Sequence, residues 1–98
     1  MDDNILYKLA EEAYFLAKKN DIRDEWVTCI AYCNAYLQVG GAANIHQYYN
    51  FALNRIGRVQ EALMSCNMGL SIDPHHPHLL HNKQLYENWL ENNKVVIH

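Results

Sequence analysis

Proline and glycine are scarce in this sequence, which has 2 prolines and 4 glycines among 98 residues. These residues build the turns of all-β folds, and no β-hairpin signal is present, so a sandwich or barrel is disfavoured. No apolar run approaches the ~20 residues that cross a bilayer. The start, "MDDNILYK", is acidic before it becomes apolar, the reverse of a secretory signal. We therefore expect one cytoplasmic domain over 1–98, with no membrane partner.

Basic residues are also too few for a nucleic-acid interface. The formal net charge is -3, whereas proteins that bind phosphate backbones concentrate lysine and arginine. The 3 cysteines are an odd number, which does not fit a disulfide framework. Cys29, Cys33 and Cys66 fall at apolar helical positions, where a free thiol packs as a small hydrophobe. We expect no nucleic-acid partner and reduced cysteines in the core.

The motifs of common enzyme classes are missing as well. The sequence has no glycine-rich phosphate loop, no G-x-S-x-G motif and no pair of carboxylates in an apolar setting. No nucleophile, base and orienting group stand out as a set. We expect that the chain is not an enzyme by itself and uses no cofactor.

What the sequence does contain is apolar residues at helical spacing. Spacings of three and four residues predict five helices, over 4–19, 22–39, 43–56, 59–71 and 77–92. The predicted core stripe of the first helix is Ile5, Leu9, Ala13 and Leu16. Asn20 is expected to end that helix in the left-handed conformation, and Ile22 to begin the apolar stripe of the second. The second helix is apolar nearly all round, which predicts burial on every side. The predicted fold class is all-α.

An internal repeat accompanies the helical pattern. Aligning Asn20 with Gly57 gives an offset of 37 residues, or 34 when "GGA" is counted as an insertion. In "GRVQEALMSCNMGLSIDP", small residues at Ala62 and Gly69 and a closing Pro74 follow the pattern of helices that approach closely. This segment resembles a tetratricopeptide repeat. The resemblance implies an antiparallel helical hairpin stack, with two helix pairs and a C-terminal capping helix.

The resemblance also implies a function, because the first helices of tetratricopeptide pairs line a concave groove that binds protein or peptide. Carried onto this sequence, the implied groove residues are Tyr7, Ala10, Tyr14, Lys18, Asn44, Gln47, Phe51, Asn54, Arg55 and, from the fifth helix, His81 or its neighbours Leu80 and Gln84. Such a surface offers aromatic faces, amides and cations to a peptide. We expect Tyr14 and Phe51 to be the anchors and to lie outside the core.

A second resemblance concerns the end of the chain. The segment "DPHHPHLLHNKQLYE" is similar to the last helix of the peptide-substrate-binding domain of collagen prolyl hydroxylases, with Pro74, Asn82, Tyr86 and Glu87 at the matching positions. This resemblance implies a tyrosine-rich groove for a proline-rich peptide, and the chain has 7 tyrosines. It would make the chain the peptide-binding part of a larger enzyme.

How the helical stack is completed stays open at this point. Two hairpins are fewer than the three repeats usually needed for stability. One alternative is a homodimer formed through Leu85, Trp89 and the apolar second helix. The other is attachment to a larger chain, as with the appendages of prolyl hydroxylases and bacterial glycosyltransferases.

Four histidines in "IDPHHPHLLHN" raise the alternative of a histidine-rich metal-binding protein. His78 and His81 are three apart at the start of the fifth helix and share a face. We favour a joint between helices, filled by exposed polar residues. Pro74 closes one hairpin, Pro77 suits the first turn of the next helix, and no carboxylate or cysteine stands at ligand spacing.

Because a joint needs no metal, a chelator is expected to leave the melting temperature unchanged. Thermal unfolding followed by circular dichroism, with and without EDTA, measures this. A large drop in melting temperature that added zinc reverses would instead establish a structural metal site at the histidines.

Overall fold

The computed structural model describes residues 3–93. Within that range the chain forms five helices and no strand: α1 (Asp3–Asn20), α2 (Arg23–Leu37), α3 (Ile45–Arg55), α4 (Val59–Ile72) and α5 (Pro77–Asn92). The predicted all-α fold class is confirmed, and the predicted helix limits differ from these by two residues at most. No helix in the described range is long and apolar enough to cross a membrane.

Helices that are consecutive in the chain pack on one another. α1 packs chiefly on α2, α3 on α4 and α4 on α5, and α2 contacts α3. Further contacts join α1 to α3 and α3 to α5, whereas α2 and α4 do not meet anywhere in the described part of the chain. The first, third and fifth helices therefore adjoin along one face of the molecule.

The core face of α1 is not the predicted one. Leu6 and Ala10 are buried, whereas Ile5 and Leu16 are 51% and 53% exposed. The Sγ of Cys29 on α2 lies 3.8 Å from the carbonyl oxygen of Ala10. This close approach needs a small side chain on α1, which a stripe of isoleucine and leucine would not allow. The predicted stripe was wrong for Ile5 and Leu16.

The prediction that α2 is buried on every side was also wrong. Trp26 and Cys33 are buried as expected, but Val27 is 45% exposed. Ile22 precedes the helix and is exposed too. The physical reason is the gap between α2 and α4, which leaves the outer side of α2 without a neighbour.

Asp21, rather than Asn20, adopts the left-handed conformation after α1, with φ of 52°. Its Oδ1 accepts hydrogen bonds from Nε1 of Trp26 at 2.9 Å and from Nε of Arg55 at 3.2 Å. The bonds from Arg55 and then Trp26 lower the pKa of the Asp21 carboxyl. A carboxylate can accept several such bonds, so this one residue ties the turn to both α2 and α3.

Gly69 lies where α4 passes closest to its neighbours. A Cβ at this position would lie 2.4 Å from Cδ1 of Leu79 on α5 and 2.9 Å from Cβ of His46 on α3. This close contact confirms the role predicted for Gly69 from the small-residue pattern. A side chain here would have to push α3 or α5 away.

We expect Gly69→Ala to lower the free energy of unfolding by about 1–3 kcal/mol, because the added methyl overpacks the contact. The gain in helix propensity, about 1 kcal/mol, only partly offsets this. Gly41→Ala is the matched control, since a Cβ there meets nothing within 4 Å. Urea unfolding of the three proteins measures the difference, and equal stabilities for the two variants would contradict the packing argument.

A buried histidine predicts how stability depends on pH. His46 is nearly fully buried and its Nδ1 lies 3.1 Å from Oγ of Ser65. Burial lowers the pKa of His46 in the folded chain, so the unfolded chain binds a proton more readily. His46 therefore does not reduce the free energy of unfolding above the ordinary histidine pKa of about 6.5. As the pH drops below this value, the unfolded chain takes up the proton and the free energy of unfolding falls.

The free energy of unfolding, measured by urea titration, is therefore expected to be lower at pH 5 than at pH 7.5. His46→Gln should flatten this pH dependence, whereas the exposed His81, replaced by glutamine, should leave it unchanged. A pH dependence that survives in His46→Gln would show that other groups cause it.

Candidate functional site

A groove of about 330 Å³ opens where α1, α3 and α5 adjoin. Its lining consists of Tyr14, Phe15, Lys18, Gln47, Tyr48, Phe51, His78 and Asn82. Within each helix these residues are one, three or four apart, which places them on one side of that helix. Three segments that are distant in the sequence thus supply one concave surface, called the groove below.

Aromatic rings form the wall between α1 and α3. The ring centroid of Tyr14 lies 4.8 Å from that of Tyr48 and 5.7 Å from that of Phe51. Phe15 stands edge-on to Tyr14 at 5.2 Å. Pairs at these separations attract one another, so the rings are held in place. Tyr48 is buried, whereas Phe15 is 58% exposed and presents a largely free ring to the groove.

Lys18 places a cation against this wall. Its Nζ lies 5.7 Å from the ring centroid of Tyr14 and 5.9 Å from that of Phe51. Both distances are within the range of a cation–π interaction. The ammonium group is therefore held beside the aromatic rings, where a ligand stacked on them would meet it.

A hydrogen bond to α1 holds Tyr48 in place. Its hydroxyl donates a hydrogen bond to Oε2 of Glu11 at 2.7 Å. Burial, followed by this bond to the carboxylate, raises the pKa of Tyr48, so the hydroxyl stays protonated and keeps donating. Tyr7 packs beside it, with ring centroids 6.1 Å apart. The carboxylate thus orients the ring that forms the floor of the groove.

Asn50 holds α5 in position for the groove. Its Oδ1 accepts a hydrogen bond from the hydroxyl of Tyr86 at 2.7 Å and another from Nδ2 of Asn82 at 3.1 Å. Its Nδ2 donates to the carbonyl oxygens of His46 and Gln47. The buried amide uses its full bonding capacity in this way. Asn82 is consequently oriented at the edge of the groove.

His76 corrects the expectation that exposed polar residues fill the joint before α5. It is buried, and its Nε2 donates to Oδ1 of Asn44 at 2.8 Å. Its Nδ1 is buried and meets no hydrogen-bond partner among the described residues. The histidine turns inward because it connects the start of α5 to the start of α3.

Four of the predicted groove residues line the groove: Tyr14, Lys18, Gln47 and Phe51. The structure does not bring the others into it, namely Tyr7, Ala10, Asn44, Asn54, Arg55, His81, Leu80 and Gln84. Arg55 pairs with Asp21 across the end of α1, and Ala10 is fully buried. His81 is turned away because Leu79 and Tyr86 face the core and set the rotation of α5.

Four residues that line the groove were not among the groove residues expected from the sequence: Phe15, Tyr48, His78 and Asn82. The sequence did contain a signal for His78 and Asn82 of α5, namely the spacing of the buried residues. Leu79 and Tyr86 are seven apart and form the buried stripe, so 78 and 82 flank it on one side. Tyr48 was not expected in the groove, but it is buried in the wall between α1 and α3, and the neighbouring Tyr49 is partly buried.

The histidine cluster does not assemble into a metal site within residues 3–93. No group of three or more histidine, cysteine, aspartate or glutamate side chains in that range is placed to hold an ion. His76 is bonded to Asn44 instead. Of the other three, only His78 takes part in the groove.

No protein-family model, curated protein or solved structure matches this chain. The resemblances to tetratricopeptide repeats and to the peptide-binding domain of collagen prolyl hydroxylases therefore stay predictions.

Proposed function

We propose that the chain is a non-catalytic module that binds a protein or peptide segment in the groove. The observation that supports this most is the meeting of three helices around exposed aromatic and polar side chains. A volume of about 330 Å³ falls at the lower end of ligand pockets. It suits one or two side chains of an extended peptide better than a large cofactor.

The chemistry of the lining favours a peptide. Phe15 and Phe51 supply flat apolar surfaces that lose little entropy on binding. The amide of Gln47 can donate to and accept from a peptide backbone, and Oδ1 of Asn82 remains an acceptor because only its Nδ2 is bonded to Asn50. Lys18 adds one cation at the wall. Apolar, amide and charged contacts are thus offered together.

The helix arrangement also supports the proposal. In the described range α3 touches both α1 and α5, whereas the outer helices α2 and α4 do not touch each other. A stack that is tighter on one side curves toward that side, so the groove is on the concave face. Concave faces of stacked helical hairpins are extended binding surfaces.

A second candidate is the peptide-binding part of a larger enzyme, specific for proline-rich segments. Tyrosines favour it, because the rings of Tyr7 and Tyr14 both lie within 6.1 Å of that of Tyr48. A proline-rich helix is already formed in solution and stacks on such rings. Asn82 and Tyr86, which match the hydroxylase pattern, are both bonded to Asn50 here and so support the groove.

The proposal is tested with variants that leave the fold intact. Tyr14 and Phe51, the anchors expected from the sequence, are half-buried in the ring cluster, so alanine there would also cost stability. Phe15→Ala and Lys18→Ala are cleaner because both side chains are exposed. Each is expected to weaken peptide binding by about 1–3 kcal/mol. Met64→Ala is the control, since Met64 is 59% exposed on α4, away from the groove.

Ligands for this test come from a random peptide library, with decaproline measured separately, and isothermal titration calorimetry gives the affinities. Preference for decaproline would favour the second candidate. Library peptides that bind equally well to all three variants would contradict binding in the groove, as would a library without any binder.

A further inference from the structure

A second surface lies on the side of α1 that faces away from α2 and α3. Ile5 and Leu16 are about half exposed there, and Leu9 lies between them. Positions 5, 9 and 16 recur at helical spacing, so they form one stripe along α1. This outer stripe is separate from the groove, which uses Tyr14, Phe15 and Lys18.

The two ends of the helical stack differ in chemistry. On α5, the face opposite the buried Leu79 and Tyr86 carries Gln84, Asn88 and Glu91, all exposed. Nε2 of Gln84 donates to Oδ1 of Asn88 at 3.1 Å. Stacked-helix proteins end on helices with polar outer faces. On α5 this polar strip separates the exposed Leu80 from the exposed Leu85 and Trp89, whereas on α1 the exposed Ile5 and Leu16 belong to one stripe.

Charges beside the outer stripe indicate what covers it. Lys8 and Glu12 are exposed, four residues apart, on the same flank of the stripe and near its middle. When two copies of a helix pack antiparallel about a twofold axis, each flank of one helix faces the same flank of the other helix. Lys8 of one copy then lies opposite Glu12 of the other, twice, whereas in a parallel twofold pair this flank would face the other flank of the partner helix and the two charges would not meet. The surface is complementary to itself.

We propose that two copies of this chain associate through the outer stripe of α1, with the two α1 helices antiparallel. This goes beyond the proposed peptide binding, and it leaves the groove open in each copy. It also differs from the homodimer expected through Leu85, Trp89 and α2, because α1 is at the centre of the interface and Leu85 and Trp89 lie outside it.

The size of the surface sets the expected strength. α1 is about 27 Å long at ~1.5 Å per residue, and with α2 beside it the end face is about 20 Å wide. Two such faces bury roughly 1,000 Å² in total, which is at the lower end for specific interfaces. The dimer is therefore weak, with a dissociation constant in the micromolar range.

Sedimentation velocity of the full chain, from low to high micromolar concentration, tests the proposal. The expected result is a reversible shift from the mass of one chain to that of two. Leu16→Glu should abolish the shift while circular dichroism stays unchanged, because Leu16 is exposed in the single chain. Leu85→Glu is the matched control on α5, equally exposed, and should dimerise normally.

The antiparallel arrangement is tested by charge exchange. Lys8→Glu and Glu12→Lys should each weaken dimerisation roughly tenfold, because each replaces two attractions by two repulsions. The double variant should restore the original affinity. A chain that stays monomeric at all concentrations, a dimer lost in Leu85→Glu but not in Leu16→Glu, or a double variant without recovery would each overturn the proposal.

Discussion

The side-chain amide of Asn50 is the interaction on which the arrangement of the last three helices depends. It is fully buried in the middle of α3, and its two lone pairs are taken by Tyr86 and Asn82 of α5. Leaving a buried amide half-bonded costs about 1–3 kcal/mol, so α5 is held in one rotation and one register. That rotation turns Leu79 inward, and it decides which residues of α5 reach the groove.

Close packing around this amide needs a small residue. Gly69 lets α4 lie against both His46 and Leu79, which brings α5 near enough for Tyr86 to reach Asn50. Further toward α1, Ala10 has the corresponding effect against Cys29. Outside these close contacts, aromatic rings of α1 and α3 line the groove, and leucine and isoleucine form the outer stripe of α1. The same packing therefore produces both proposed binding surfaces.

Much of the fold could be predicted from the sequence, because apolar spacing and the sparse glycines and prolines mark where helices begin and end. The groove could be predicted only in part. Tyr14 and Phe51 were expected to be free of the core, yet both are half-buried in the ring cluster. His81 was expected in the groove and His78 was not, since a helix can be rotated by one residue without changing its apolar period.

The sequence by itself determined that the chain is helical, where the five helices lie, and that Gly69 marks a close contact, because these depend on local spacing and backbone sterics. The tertiary structure alone decided which of two apolar stripes on α1 became core and which aromatic rings meet Lys18. It also decided that Asn50 and His76 point inward. Burial of a side chain depends on which neighbour covers it, and Asn50 is covered by residues 32 and 36 positions away.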